Sequence, residues 1–263
     1  MKSPIELYVK KGNFNVEGWL HAVAIAAIHE VAVIQANENI RGPVCEIGVH
    51  HGRLFILLHL LTNENEHSAA WDLFDQQNEN YDQSGCGDLD QFRENLVNHG
   101  CDLDRITIAA RNSMDLKTED IIKNCNGNPR LFSVDGGHTA EITYNDIGLA
   151  GQTICENGII ILDDFFNEAW PGVAEGTCRY MAESPGLYPV SIVGNKVMLT
   201  NSKAAAEMYI HNLNFTYPGY LSKHTTFFGQ DVLCYLPFKT NPIWKHLRDR
   251  PLGKLIKRLI KSD

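Results

Sequence analysis

Short, largely apolar runs recur between residues 42 and 200, and each ends in a turn rich in glycine, asparagine or aspartate. Runs that stay apolar without alternation are typical of strands buried on both faces of a parallel sheet that helices cover. The pattern therefore predicts an α/β fold with a mostly parallel sheet. The runs lie at 42–47, 68–75, 105–110, 130–135 and 158–162.

Two further apolar runs lie within residues 187–200 and are separated only by Gly194 and Asn195. A two-residue turn of this kind joins antiparallel strands. The whole pattern thus predicts seven strands, and the last two form an antiparallel hairpin at the end of the sheet.

Apolar positions also recur at helical spacing ahead of the first strand, from Trp19 onward. Asn15 is a residue type that caps helix N-termini, so the pattern predicts a helix from Asn15 to about Asn37. We interpret its histidines, His21 and His29, as surface or interface residues, and contact with a substrate is the alternative.

The first strand leads into Glu46-Ile-Gly48-Val-His-His-Gly52, and a helical pattern starts at Leu54. Glycines permit a sharp turn and a close approach to a ligand, and a helix N-terminus offers free N–H groups with partial positive charge. The dinucleotide fingerprint G-x-G-x-x-G has a glycine where this chain has Glu46. A carboxylate there repels a pyrophosphate but suits an ammonium group, so the turn predicts a site for a nucleotide-like cofactor.

Asp72 lies near the end of the second run, 24 residues beyond Gly48. An acid at this spacing is placed to accept hydrogen bonds from a ribose diol. Asp75 is the alternative ribose ligand, and a cap at the strand end is the purely structural interpretation. The polar residues 76–88 that follow predict a loop over the mouth of the pocket.

Three carboxylates follow two strands that should be neighbours: Asp135 ends one run, and Asp163 with Asp164 ends the next. The carboxyl ends of such strands are where ligands bind in open α/β sheets. Carboxylates buried together repel each other, and a hard divalent cation removes that repulsion. The three acids therefore predict a site for Mg²⁺ or Mn²⁺.

These motifs together resemble those of class I S-adenosylmethionine (SAM) methyltransferases over about residues 42–200. The arrangement D-G-x-H, a helix, then G-x-x-x-x-D-D is similar to that of metal-dependent small-molecule O-methyltransferases of the catechol and macrolide-sugar types. The catechol type has Asn where this chain has Asp164, so the sugar type agrees better.

The resemblance implies a Rossmann-like fold and assigns roles to residues of this chain. Its glycine turn would hold the methionine part of SAM, the residues after the third strand would meet the adenine, and His138 would be the general base. The implied metal ligands are Asp135, Asp163 and Asp164, and Asp135 also counts as catalytic. The implied cofactor-binding residues are Glu46, Gly48, Gly52, Asp72, Asn112 and Ser113. For Asn112 and Ser113, an ordinary turn is an equally good interpretation.

Composition narrows the class of protein further. The chain has 263 residues and a net charge of −9, which argues against a general nucleic-acid binder. Its seven cysteines show no zinc-type spacing, which indicates reduced thiols. The N-terminal residues lack a signal-peptide pattern, so we expect a cytoplasmic protein.

We expect one domain in three parts: a helical cover over 1–40, a SAM-binding core over 41–202 and an extension over 203–263. Residues 211–242 are rich in aromatics and turn residues, and they suit a substrate-facing or dimer-forming extension. Residues 244–263 are basic and predict an amphipathic helix. Such a helix suits contact with an anionic membrane surface, or docking on its own domain or on a second copy.

The sequence thus predicts a SAM-dependent, metal-assisted O-methyltransferase of a small hydroxylated acceptor, a saccharide or glycosylated metabolite. A metal-dependent hydrolase that uses the same acids is one alternative, but it leaves the glycine turn and Asp72 without a role. A non-catalytic partner protein with a SAM-binding fold is the other.

Overall fold

The computed structural model describes residues 3–237, which form one nine-stranded sheet and eight α-helices. The helices are α1 Pro4–Lys10, α2 Ala22–Asn37, α3 Arg53–Leu60, α4 Leu89–Asn98, α5 Thr118–Cys125, α6 Ala140–Thr153, α7 Pro171–Glu183 and α8 Lys203–Asn212. The strands are β1 Val44–Ile47, β2 Ser68–Asp72, β3 Ile106–Ala110, β4 Leu131–Val134, β5 Ile159–Leu162, β6 Tyr188–Val193, β7 Lys196–Thr200, β8 Tyr220–Phe227 and β9 Gln230–Pro237.

The strand order is β3-β2-β1-β4-β5-β7-β6-β9-β8. β1 to β5 are mutually parallel, and β7 is antiparallel to both β5 and β6. The mostly parallel sheet with an antiparallel hairpin is therefore confirmed. β1 lies between β2 and β4. The chain continues from β1 to β2 and β3 on one side of it, and then crosses to β4 and β5 on the other side. Such a switch point opens a crevice at the carboxyl ends of the strands, and ligands bind there.

The predicted number of seven strands is wrong, because β8 and β9 extend the sheet beyond β6. β9 pairs in parallel with β6, and β8 closes the edge as an antiparallel partner of β9. Six of the eight residues of β8 are exposed, so this strand carries no alternation of apolar and polar positions that would have predicted it.

Two apolar layers cover the faces of the sheet and hold its edge rigid. α2, α3 and α8 pack on one face, and α5, α6 and α7 pack on the other. Arg130, directly before β4, connects the sheet to the helix layer that contains α2. Its guanidinium donates to the buried Glu66 carboxylate and to Gln35 of α2. The central strands β1, β4 and β5 are fully buried, as their largely apolar runs predict.

The N-terminal helix starts later than predicted, and this is a second correction. α2 begins at Ala22, and residues 12–15 form a 3₁₀ turn. Gly18 has φ = +136°, a conformation that interrupts a helix, so the chain is irregular between the two elements. Trp19 therefore lies outside the helix and is 74% exposed.

Part of the predicted extension lies outside the described residues, including the basic segment 244–263. Among residues 3–237, no helix combines the length and the apolar character that a bilayer crossing requires.

Candidate functional site

A cavity of about 540 Å³ opens at the carboxyl ends of β1, β2, β4 and β5. This volume suits a cofactor-sized ligand together with part of a second molecule. The loop 76–88 lines the cavity, as the sequence predicts. The cavity also contacts every predicted site residue except Gly52: Glu46, Gly48, Asp72, Asn112, Ser113, Asp135, His138, Asp163 and Asp164.

The glycine turn forms one wall of the cavity and requires both of its glycines. Gly48 has φ = +84°, and a Cβ there would overlap the carbonyl oxygen of Asp135. Gly52 has φ = +89°, and a Cβ there would lie 2.6 Å from the ring of Phe92. Gly48 thus lets the ends of β1 and β4 touch, and Gly52 lets α3 begin against the core.

Glu46 lies under this turn with 1% of its surface exposed. One carboxylate oxygen accepts a hydrogen bond from Ser133 at 3.0 Å, and Oε2 is buried with no protein partner. Burial raises the pKa of Glu46 to about 8, against the opposing effects of Lys196 and Ser133. A buried oxygen without a partner is costly, so this position is suited to a ligand that brings a donor or a positive charge.

Asp72 lines the cavity, whereas Asp75 is exposed and does not. The Asp72 carboxylate accepts from the backbone N–H of His50 at 2.7 Å and from that of Phe74 at 2.7 Å. Asp72 therefore also fixes the glycine turn against the end of β2. Of the two acids that the sequence proposed for the ribose, only Asp72 reaches the cavity.

Beyond β3, Asn112 and Ser113 both line the cavity. The Asn112 side chain donates to Glu79 of the loop at 3.1 Å and accepts from the N–H of Met114. The Ser113 hydroxyl donates to Asp146 at 3.1 Å, and burial raises the pKa of Asp146 to about 7. Glu79 was not predicted as a site residue, because nothing in its polar surroundings distinguishes it.

Asp163, which lines the cavity, belongs to a buried ion pair that the sequence did not indicate. Lys196, the first residue of β7, is 1% exposed, and its ammonium donates to Oδ2 of Asp163. Burial alone would lower the pKa of Lys196, but Asp163 and Asp135 raise it. Burial, together with repulsion from Asp163, raises the pKa of Asp135 well above its usual range.

His138 lies between two carboxylates. Its Nδ1 is 3.1 Å from Oδ2 of Asp82 in the loop, and its Nε2 is 3.1 Å from Oδ2 of Asp164. Burial alone would lower the pKa of His138, but the bonds to Asp164 and Asp82 raise it to about 9. In this arrangement the ring carries both protons at neutral pH. Asp82 is a third residue that the sequence did not indicate, since its partner is 56 positions away.

One ligand atom from each of Asp135, His138 and Asp164 lies within 4.8 Å of the others, a spacing that a metal ion can span. Asp163 is placed differently. Its Oδ2 is held by Lys196, and its Oδ1 accepts from the N–H of Asp164 at 2.8 Å. The structure thus brings all the predicted acids to one edge of the sheet, but it gives Asp163 an ion-pair partner of its own.

The outer end of the cavity is polar with aromatic walls. Trp170 stacks on His138 with ring centroids 4.6 Å apart. Asn167 and Asn195 both donate to Oδ1 of Asp164, at 3.1 and 2.6 Å. His21 also lines the cavity, whereas His29 does not. Amide groups beside an indole face suit an acceptor that combines several hydroxyls with an apolar face.

A family model matches part of this chain in sequence, and solved structures match it in fold. Residues 45–165 match the family model of a methyltransferase domain. The O-methyltransferase NovP has a TM-score of 0.56 at 13% identity, over 70% of this chain and 81% of that chain. An O-methyltransferase from Bacillus cereus in complex with SAH has a TM-score of 0.54 at 13% identity, over 77% and 92%. CalS11, a TDP-rhamnose 3′-O-methyltransferase of calicheamicin biosynthesis, has a TM-score of 0.52 at 16% identity, over 76% and 88%. No curated protein matches the sequence closely enough to count as a relative.

Proposed function

We propose that this chain transfers the methyl group of SAM to a hydroxyl of a small acceptor, because residues 45–165 match the family model of a methyltransferase domain and the fold is similar to that of O-methyltransferases. We further propose that the acceptor is a saccharide or a glycosylated metabolite, and that a divalent cation, Mg²⁺ or Mn²⁺, assists the transfer.

One observation carries the proposal. A single cavity connects the glycine turn and Asp72 at one end with His138 and Asp164 at the other. A cofactor held at the first end therefore presents its reactive group toward an acid–base pair at the second end. The pair and the cofactor turn come from adjacent strands, so their relative position is fixed by the sheet.

The inner end fits SAM. Oε2 of Glu46 is buried without a protein partner, and it suits a cationic or donor group of the ligand. The glycine turn brings backbone N–H groups and the start of α3 close to the cavity. Asp72 lines the same space and is the proposed ribose ligand, with Asn112 and Ser113 at the proposed adenine end.

The outer end fits a hard cation at Asp135 and Asp164, because both carboxylates can converge on one point. A cation bound there would polarise the acceptor hydroxyl and favour its ionisation. One ring nitrogen of His138 belongs to the same group of atoms, so the ring faces whatever these two acids hold. Asp163, the third acid in the sequence, is paired with Lys196.

When bound, SAM supplies a methyl group on a positively charged sulfur. Transfer of that methyl group to an acceptor oxygen would require the hydroxyl proton to be removed by a group of this chain. His138 is the proposed acceptor of that proton at Nε2. Because the ring held by two carboxylates is already protonated, Nε2 must first lose its proton to solvent before His138 can act as a base. A cation held by Asp135 and Asp164 would favour this loss, because it would offset the carboxylate charge that raises the pKa of His138.

The groups around Asp164 support the choice of a saccharide. Asn167 and Asn195 offer amide donors and acceptors at fixed positions, and the Trp170 indole offers a flat apolar surface. A sugar ring has a polar rim of hydroxyls and apolar faces, so it matches this combination.

The test uses the purified full-length chain. Calorimetry should show binding of SAM and S-adenosylhomocysteine. With nucleotide sugars and glycosylated phenols as acceptors, tritium transfer from methyl-labelled SAM should require Mg²⁺ or Mn²⁺. Excess chelator should abolish turnover and leave SAM affinity unchanged, because Glu46 and Asp72 line the cavity apart from the cation site.

Each part of the proposal can fail separately. Absence of SAM binding would contradict the methyltransferase assignment itself. Full turnover in excess chelator would contradict the cation, and the three acids would then position His138 and the acceptor. Methylation only of catechols, with no turnover of sugars, would contradict the saccharide.

A further inference from the structure

Lys196 is an unusual residue for its position. All five residues of β7 are buried, and Lys196 opens the strand directly after the turn at Gly194 and Asn195. An ammonium group at 1% exposure is costly to bury unless carboxylates surround it. The antiparallel register of β5 and β7 places it there, since Leu162 pairs with Val197 and Asp163 therefore lies opposite Lys196.

Both oxygens of Asp163 already have partners within the protein. One of its oxygens holds the Lys196 ammonium, and the other holds the N–H of Asp164. Asp135 and Asp164 are arranged differently, because an oxygen from each lies within 4.8 Å of the other and of a ring nitrogen of His138. Asp163 contacts Asp135, but it is not part of this group of three ligand atoms.

We propose that Lys196 is a built-in cation that withholds Asp163 from the divalent ion, so that only Asp135 and Asp164 supply carboxylates to it. Lys196 is then a positioning residue that keeps divalent-ion affinity low. This inference rests on the proposed function, because it presupposes the cation site at Asp135 and Asp164.

Two substitutions separate this inference from its alternative. Lys196→Met removes the charge but keeps the length of the side chain, so Asp163 becomes free to bind the ion. The double variant Lys196→Met/Asp163→Asn replaces a charged pair by an uncharged one. Buried pairs replaced in this way generally leave a folded protein, so the double variant also guards against loss of the fold.

The readout is Mn²⁺ binding to the full-length apoprotein, measured by the loss of the free-ion signal in electron paramagnetic resonance. No SAM or acceptor is present. Lys196→Met should bind Mn²⁺ at least about tenfold more tightly than the unmodified chain, the effect of one added carboxylate ligand. The double variant should bind within about threefold of the unmodified chain, and so should Lys203→Met, which changes an exposed lysine.

The outcomes are distinct from those of the proposed function. Equal Mn²⁺ affinity in Lys196→Met and the unmodified chain overturns the inference. A tenfold or larger loss in the double variant also overturns it, because Asp163 would then be a ligand in the unmodified chain. If Lys196→Met folds only when Mn²⁺ is added, the inference is supported, since the ion has replaced the ammonium beside Asp163. Absence of Mn²⁺ binding in every variant contradicts the cation of the proposed function, whereas SAM binding is tested independently.

Discussion

Individual side chains at this site have two kinds of partner, the ligand and the backbone, and Asp72 shows both. Its carboxylate lines the cavity at the proposed ribose position, and it also accepts two hydrogen bonds of 2.7 Å from the backbone. An acid that is already oriented by the turn loses little freedom when a ligand binds. The same hydrogen bonds that hold the glycine turn also hold the Asp72 carboxylate in a fixed position, which suits it to bind a ribose.

Asp72→Ala should weaken SAM binding by about ten- to a hundredfold, the usual value of a charge-assisted contact. Calorimetry of SAM and S-adenosylhomocysteine measures the change. Asp75→Ala is the matched control, because Asp75 is exposed and lies outside the cavity, and its affinity should not change. An Asp72→Ala variant with unaltered affinity would remove Asp72 from the ribose site.

His138→Ala should lower the turnover number by about 10²- to 10⁴-fold, the range for loss of a general base, while SAM affinity stays the same. Asp82→Asn keeps a side chain of the same shape beside Nδ1, so it should cause a smaller loss. Rates at saturating SAM and acceptor provide the comparison. If His138→Ala retains most of its turnover, another group removes the proton.

At the scale of the elements, α3 is joined to the sheet by one buried histidine. His59 is 2% exposed, its Nδ1 lies 2.9 Å from the hydroxyl of Ser68 on β2, and its Nε2 accepts from the N–H of Asp102. Because Nε2 accepts, the ring is neutral in the folded state. Burial, with repulsion from Arg105, lowers the pKa of His59 to about 4.

This shift makes stability depend on pH in a defined window. In the unfolded chain the pKa of His59 is about 6.5. Between about pH 6.5 and 4, His59 therefore binds a proton in the unfolded chain but not in the folded chain. The stabilisation from neutral His59 is complete above this window and is lost as pH falls through it. Between pH 7 and 4.5 the loss should amount to about 2–3 kcal/mol.

The side chain in the His59→Gln variant cannot bind a proton. Comparison with this variant therefore separates the contribution of His59 to stability from those of the other titratable groups. Urea unfolding of both chains at pH 7 and pH 4.5 should show that the stability advantage of the unmodified chain shrinks by that amount. A constant difference between the two chains would mean that His59 does not bind its proton differently in the folded and unfolded states.

Local patterns predicted most of these elements, and long-range register explains what they missed. The strand, glycine turn and helix at 44–60 follow from residues that are neighbours in sequence. The partners of Asp163 and His138 do not, since Lys196 is 33 and Asp82 is 56 residues away. Which charged residues meet depends on how β5 and β7 align and on where the loop closes. No periodicity in the chain carries that information.

At the scale of the whole molecule, the motifs at 46–52, 72 and 135–164 predicted the methyltransferase fold and the edge of the sheet at which the cavity opens. They did so because a parallel sheet gathers the ends of all its strands on one edge. The sequence predicted an extension over 203–263 but not its strands β8 and β9, because the outer strand is exposed and lacks an apolar face.

The position of β9 has a consequence for how the protein is made. β9 lies beside β6 in the sheet, although residues 203–229 separate it in sequence from the hairpin that ends at Thr200. During synthesis β6 is therefore an open edge, with unpaired backbone groups, until residues 230–237 have left the ribosome. Open edges recruit strands from other chains. The nascent chain thus has an edge open to self-association in the interval between the emergence of β6 and that of β9.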